Sequence, residues 1–212
     1  MLDWIKGGVF SLKEVQPIKE IEKIDVMRRI LAKGTYGDRN VLLFSIGINT
    51  AYRISDLLTL KLSDVLEVSR KKIRVKDRLI MKEKKTSKNN SVIITKKLQK
   101  DILDFVQKQY PAWFAAQDLD HYLFMSRKRD AGERPISRIQ VWEIISTAGK
   151  LAGLNHIGPH SMRKTFGYHM YKNGTSLELI QDLLNHSSPK ITLRYIGITQ
   201  EEKDQAVNSL GL

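Results

Sequence analysis

Six residues spread along the chain carry side chains suited to work on a phosphate: Arg53, Lys85, His160, Arg163, His186 and Tyr195. In "GPHSMRKTF", Pro159 favours a helix start, so His160 and Arg163 fall in the first turns and share one face. A helix N-terminus bearing an arginine and an imidazole attracts a phosphate. The same residues also suit a surface cap with two solvated side chains. Arg53 stands where the apolar stretch "DRNVLLFSIGINTAYR" ends, a rigid mount for a guanidinium that grips phosphate with two donors. Asp56 is near enough to neutralise it instead. Tyr195 closes "HSSPKITLRY", nine residues after His186 and four after Ile191. It is either core packing or a hydroxyl held for chemistry, and the local sequence leaves both open.

The charge balance narrows the substrate. Lys plus Arg is 36 against 23 Asp plus Glu, a net charge of +13. Between Arg70 and Lys88 stand ten basic residues, Arg70, Lys71, Lys72, Arg74 and Lys88 among them, against Asp77 and Glu83. Such clustering suits a polyanion, because neutralised phosphates release condensed counterions. It lacks the aromatic-rich helical face of a membrane-surface anchor. No run approaches the roughly 18 apolar residues of a membrane span, and "MLDWIKGGVF" lacks the apolar core of a secretion signal. Cysteine is absent, which excludes disulfides and thiolate metal sites and fits a reducing cytoplasm. The five histidines show no metal-ligand spacing with neighbouring carboxylates.

Periodicity indicates the elements that must position these residues. Ile21, Ile24, Met27, Ile30 and Leu31 form one stripe of a helix running from Pro17 to Gly34. "DRNVLLFSIGINTAYR" is apolar all round and reads as a buried helix, continued by a short one in "RISDLLTLKLSDV". The period then changes: "KKIRVKD", "RLIMKE" and "SVIIT" alternate between polar turns and read as a small antiparallel sheet or hairpin carrying the basic cluster. "KKLQKDILDFVQKQ" is helical up to Pro111, and "HYLFMS" suits a short strand. Ser137 with Gln140 makes a capping box opening a helix with Val141, Ile144, Ile145, Ala148 and Leu151 on its apolar face. Thr175 with Glu178 repeats the pattern, and Ser188 with Pro189 starts a third helix. The fold class is α+β, mostly helical, with a small antiparallel β-sheet set into it.

Four stretches together resemble the catalytic domain of the tyrosine recombinases, the phage-type integrases and bacterial chromosome-dimer resolvases. "AYRISDLLTLKLSDV" resembles the family's first arginine box, and "KKTSKNNSVIIT" its β-hairpin lysine segment. "PHSMRKTF" matches the His-x-x-Arg box, and "LLNHSSPKITLRYI" the last box with its histidine and tyrosine. The resemblance covers roughly residues 18–200; each box alone is weak, but four in order are specific. It implies a fold of the DNA breaking–rejoining enzyme type. It divides the chain into an N-terminal tail or linker remnant, 1–17, and a catalytic domain, 18–212, without the N-terminal clamp domain common in the family. Two departures stand out: Asn185 where glycine is frequent, and Ala51-Tyr52 before the first arginine. Lys84, Lys85 and Lys88 crowd one turn, and Lys85-Thr86 fits the family pattern best.

The resemblance implies strand cleavage by transesterification, with Tyr195 as nucleophile, Arg53 and Arg163 on the non-bridging oxygens, and His160 as general base. Lys85 is then the general acid, His186 a hydrogen-bond donor to the phosphate, and Asp56 a support. No cofactor or metal is called for. Expected DNA contacts are Arg70, Lys71, Lys72, Arg74, Lys84, Lys88 and Lys164, with Arg138 and Gln140 as groove readers. The implied partner is double-stranded DNA at recombination sites, met by a cytoplasmic protein that is monomeric in solution and tetrameric on DNA. "TQEEKDQAVNSLGL" forms a helix that docks on a neighbour or on its own domain. Competing readings are a DNA-binding protein of the same fold that does not cut, and a relaxing enzyme like the type IB topoisomerases.

Overall fold

The computed structural model describes residues 15–82, 89–126 and 132–211. Helix α1 (Ile21–Ala32) starts at Ile21, not at Pro17. The reason lies upstream. Ile18 is buried, its N–H donates to Thr165 Oγ1 at 2.8 Å, and its carbonyl lies 2.9 Å from His169 Nε2. A backbone whose donor and acceptor are taken by distant side chains cannot enter a helical ladder. The Gln16 N–H likewise donates to the His156 carbonyl at 2.9 Å, so Gln16 and Pro17, expected in the tail, lie on the body.

Helix α2 (Gly37–Asn49) is buried on almost every side, as its unbroken apolar run requires. The expected short helix after it is two, α3 (Ile54–Leu57) and α4 (Leu62–Val65). The expected sheet or hairpin is also two: β1 (Leu66–Ser69) pairs antiparallel with β2 (Lys72–Val75), and β3 (Arg78–Lys82) with β4 (Asn89–Ile93). Strand β1 lacks a sequence signal because its hairpin turns on Arg70 and Lys71, at φ 49° and 61°. Two consecutive positive φ values are normally signalled by Asn-Gly or Asp-Gly, and here two long cations occupy them.

Thr95 caps α5 (Lys96–Gln109), and Pro111 does not merely stop it but stands at the first position of α6 (Pro111–Ala116). "HYLFMS" forms no strand of its own. Two isolated bridges, Lys61↔Tyr122 and Met125↔Pro135, tie it down while Leu123 and Phe124 enter the core. His121 stands beside two carboxylates and an aromatic ring. It lies 3.0 Å from Asp118 and 3.3 Å from Glu133 and stacks on Trp113.

The last third follows its start signals closely. The Ser137–Gln140 capping box opens α7 (Arg138–Leu151), and Pro159 opens α8 (Pro159–Lys172). Ser176, one residue later than the expected Thr175, caps α9 (Leu177–Leu183). Ser188 caps α10 (Pro189–Tyr195), and Thr199 caps α11 (Gln200–Asn208). Ile21 and Leu151, the ends of their apolar stripes, face solvent. The main core gathers Met27, Leu43, Phe44, Val106, Val141 and Ile145, and a smaller one gathers Ala51, Tyr168, Ile180, Leu184 and Ile196. Helix α8 packs on α2, α7 and α9, so residues at its N-terminal end face parts of the chain far apart in sequence.

Candidate active site

Local capping sets the start of α8. Pro159 takes the first position, where its missing N–H costs nothing, and the Gly158 N–H donates to Ser161 Oγ at 3.1 Å. His160 and Arg163 then sit three apart and His160 and Lys164 four apart, on one helix face. Arg163 and Lys164 are each 3% exposed. One guanidinium nitrogen of Arg163, Nη2, donates to the Leu184 carbonyl at 2.5 Å, which fixes the side chain against the end of α9. Lys164, expected as an outer DNA contact, is instead buried. Its ammonium stands 5.1 Å from the centre of the Tyr195 ring.

Arg53 is mounted between rigid supports. It precedes α3 in extended conformation, half-buried, after the fully buried Tyr52. The Tyr52 hydroxyl lies 2.8 Å from the carbonyls of both Leu79 and Asn90, so it holds strands β3 and β4 beside Arg53. Asn90 Nδ2 donates to the Leu183 carbonyl at 3.0 Å, joining the same hairpin to α9. Strands β3 and β4 are therefore locked to the site, while Lys84, Lys85 and Lys88 lie outside the described residues. Asp56 is 1% exposed, one turn after Arg53.

The tyrosine end is equally determined. Gly167 lets α10 close on α8, since a Cβ there would fall 2.7 Å from Ile196 Cγ2. That approach buries Ile196 and brings the neighbouring Tyr195 over Lys164. Asn185 takes φ 47° before His186. Asparagine enters this left-handed region more readily than most residues, so it serves where the family often has glycine. The His186 ring meets the Tyr195 ring edge-on at 4.7 Å, and its Nδ1 lies 3.1 Å from the buried Thr192 hydroxyl. That hydroxyl also donates to the Ser188 carbonyl at 3.4 Å, so Thr192 ties the His186 ring to the start of α10.

Four cations from three separate segments act on one imidazole. His160 is held below the ordinary histidine range, first by desolvation and then by Arg163, Arg138, Lys164 and Arg53. Beside it runs a groove of about 480 Å³ lined by Ile54, Arg138, Ile139, Trp142, Pro159 and His160. Ile139 and Trp142 are exposed there, a pair that the buried apolar stripe of α7 does not reveal. Thr192 and Gly167 are further residues of the site that the sequence does not flag; neither carries a chemical signature, and only packing reveals them. Gln140, expected as a groove reader, is engaged in the start of α7. Its amide oxygen accepts from the Ser137 N–H at 3.2 Å and the Ser137 hydroxyl at 3.1 Å, so it completes the helix cap. Arg70, Lys71, Lys72 and Arg74 are exposed on the β1–β2 hairpin, Arg74 paired with Glu67 at 2.6 Å.

Residues 20–202 match the phage integrase family as a whole. The chain belongs to that family. It is 38% identical to the probable integrase/recombinase YoeC of Bacillus subtilis (strain 168), over 93% of this chain and 97% of that protein. It is 27% identical to the tyrosine recombinase XerA of Pyrococcus furiosus over 90% of its own length, but spans only 60% of that protein. The fold agrees. The XerH site-specific recombinase bound to its palindromic difH substrate in a post-cleavage complex superposes with a TM-score of 0.67 and 20% identity, covering 91% of this chain and 52% of that one. The catalytic domain of bacteriophage HP1 integrase superposes at 0.54 with 20% identity, covering 92% and 95%. The fold is that of a tyrosine recombinase catalytic domain.

Proposed function

We propose that this chain is a site-specific DNA recombinase, a tyrosine-type strand transferase that cuts and rejoins duplex DNA through a 3′-phosphotyrosyl intermediate. The Tyr195 hydroxyl attacks a phosphodiester, the bond to the 5′-oxygen breaks, and a 5′-hydroxyl from a partner strand later reverses the step. Bond energy stays in the protein–DNA link, so no ATP is consumed.

The observation that carries this reading is the convergence of Arg53, Arg138, Arg163 and Lys164 on His160, with Lys164 also over the Tyr195 ring. An attacked phosphodiester gains negative charge, and fixed guanidinium donors stabilise that charge without reorganising. Arg53 and Arg163 bind the non-bridging oxygens. His160, kept neutral by its surroundings, accepts the phenol proton. His186 donates to the phosphate, its ring oriented by Thr192. Asp56 supports the Arg53 corner, and Lys85 protonates the leaving 5′-oxygen.

The partner is double-stranded DNA at recombination sites. The exposed cations of the β1–β2 hairpin, with Lys84 and Lys88, contact its backbone, and Arg138 faces it from the groove. The protein is a monomer in solution and a tetramer on two duplexes. Helix α11 is tied to its own domain through Glu202 and Lys19, 2.9 Å apart, yet Val207 on it and Leu210 just after it are exposed, and a neighbouring protomer can cover them in the tetramer. No described helix is long and apolar enough to cross a membrane, and the reaction belongs in the cytoplasm, on the nucleoid.

Covalent trapping tests the reading. Wild-type protein is incubated with a panel of nicked and supercoiled DNAs, denatured, and examined for protein attached to a 3′ end. We expect an adduct that Tyr195→Phe abolishes. An adduct retained in that variant, or absent across the panel, overturns the proposal.

A further inference from the structure

Lys164 is a buried charge that the chemistry above leaves without a task of its own. At 3% exposure its ammonium has lost almost all its water, an expensive condition unless negative charge or fixed acceptors offset it. Its Nζ lies 5.1 Å from the centre of the Tyr195 ring. The arrangement is built in: Gly167, one turn along the same helix, permits the close approach of α10 that puts the ring there. A phenol is a weak nucleophile with an ordinary pKa near 10, and its anion spreads charge into the ring. A cation fixed over that ring attracts the phenolate more strongly than the neutral phenol.

We propose that Lys164 is a positioning residue for the nucleophile, which favours the Tyr195 phenolate and keeps the ring aimed at the scissile phosphorus. The inference rests on the recombinase reading above and assigns Lys164 to the nucleophile side of the reaction. Atoms and protons balance. The phenol proton goes to His160, the tyrosine oxygen bonds to phosphorus, and the 5′-oxygen leaves with a proton from the hairpin lysine. The charged groups that act on His160 together with Lys164 are Arg163 from α8, Arg138 from α7 and Arg53 before α3, and the His186 ring stands edge-on to Tyr195. Lys190 and Arg194 lie on α10 itself, and Glu178 and Asp182 of α9 are exposed.

The test uses Lys164→Met and Lys164→Gln, which remove the charge, and Lys164→Arg, which keeps it. Protein carrying tyrosine labelled with ¹³C at Cζ is titrated without DNA, and the Tyr195 signal is assigned from Tyr195→Phe. We expect the Tyr195 midpoint to rise by about one pH unit in the uncharged variants and to return toward wild type with arginine. On a nicked duplex that wild type cleaves, single-turnover adduct formation at pH 7 should fall about tenfold in Lys164→Met, the gap closing as pH rises. Replacing the leaving 5′-oxygen by sulfur removes the need for a general acid, and the deficit should persist. Equal Tyr195 midpoints in wild type and the uncharged variants overturn the inference, as does a deficit that sulfur abolishes, which would move Lys164 to the leaving group. Either result alongside a wild-type adduct leaves the recombinase reading intact, whereas a wild type that never forms the adduct removes both.

Discussion

Two sets of cations divide the work of this molecule. Arg70, Lys71, Lys72 and Arg74 stand exposed on a short hairpin, whereas Arg163 and Lys164 are each 3% exposed on the inner face of α8. The exposed set stands in solvent, with Arg74 paired to Glu67. It suits long-range attraction to a polyanion, an effect that salt screens and counterion release measures. The buried set is pinned, Arg163 by the Leu184 carbonyl and Lys164 beneath a closely packed helix. Its charges are screened little, and their orientation is settled before any phosphate arrives. Affinity and chemistry are therefore separable by mutation.

Breaking the buried set should have the larger effect. Arg163→Gln removes the donor we propose for the phosphate, and we expect adduct formation to fall about 10²–10³-fold in single-turnover assays, with low-salt DNA affinity nearly unchanged. Replacing Arg70, Lys71, Lys72 and Arg74 by glutamine should do the reverse. Binding weakens across all sequences, the slope of log affinity against log salt falls by about 0.9 for each phosphate no longer neutralised, and cleavage by the saturated complex is preserved. Gel-shift titrations at several salt concentrations check this.

Two smaller effects sharpen the boundary. Because His160 is depressed in the folded protein, it stays neutral on acidification past the ordinary value of 6.5. Cleavage should persist below that pH and fall only as pH drops through the depressed value. Arg138→Gln removes one cause of the depression, so the acid limb of the pH–rate profile should move up toward 6.5. Gln140→Ala should cost about 1 kcal/mol in thermal or urea unfolding through the lost cap, with sequence preference unchanged. A changed preference would return Gln140 to the DNA surface.

The sequence made these regions legible to different degrees. The basic cluster announces itself by density within 19 positions, Arg70 to Lys88. The long helices and most caps could also be read, since apolar period and hydroxyl caps act locally. Strand β1 could not, because its turn uses Arg70 and Lys71 where glycine or asparagine is usual. Pro17 and Ile18 also misled, because the backbone partners of Ile18 lie in α8, far along the chain. Arg53, His160, Arg163, His186 and Tyr195 each had an ordinary local explanation, and only their order within the family's boxes set them apart. Burial of Lys164 and the service of Thr192 and Gly167 depend on the packing of α8 against α10, which no local pattern encodes.

The most direct test of the central claim is to digest the trapped complex with trypsin and nuclease and to map the nucleotide-bearing peptide by mass spectrometry. Tyr195 follows Arg194 and the next basic residue is Lys203. The account predicts the DNA remnant on the peptide "YIGITQEEK", joined to Tyr195 through a 3′-phosphate. A remnant on any other residue, or a link through a 5′-phosphate, would contradict it.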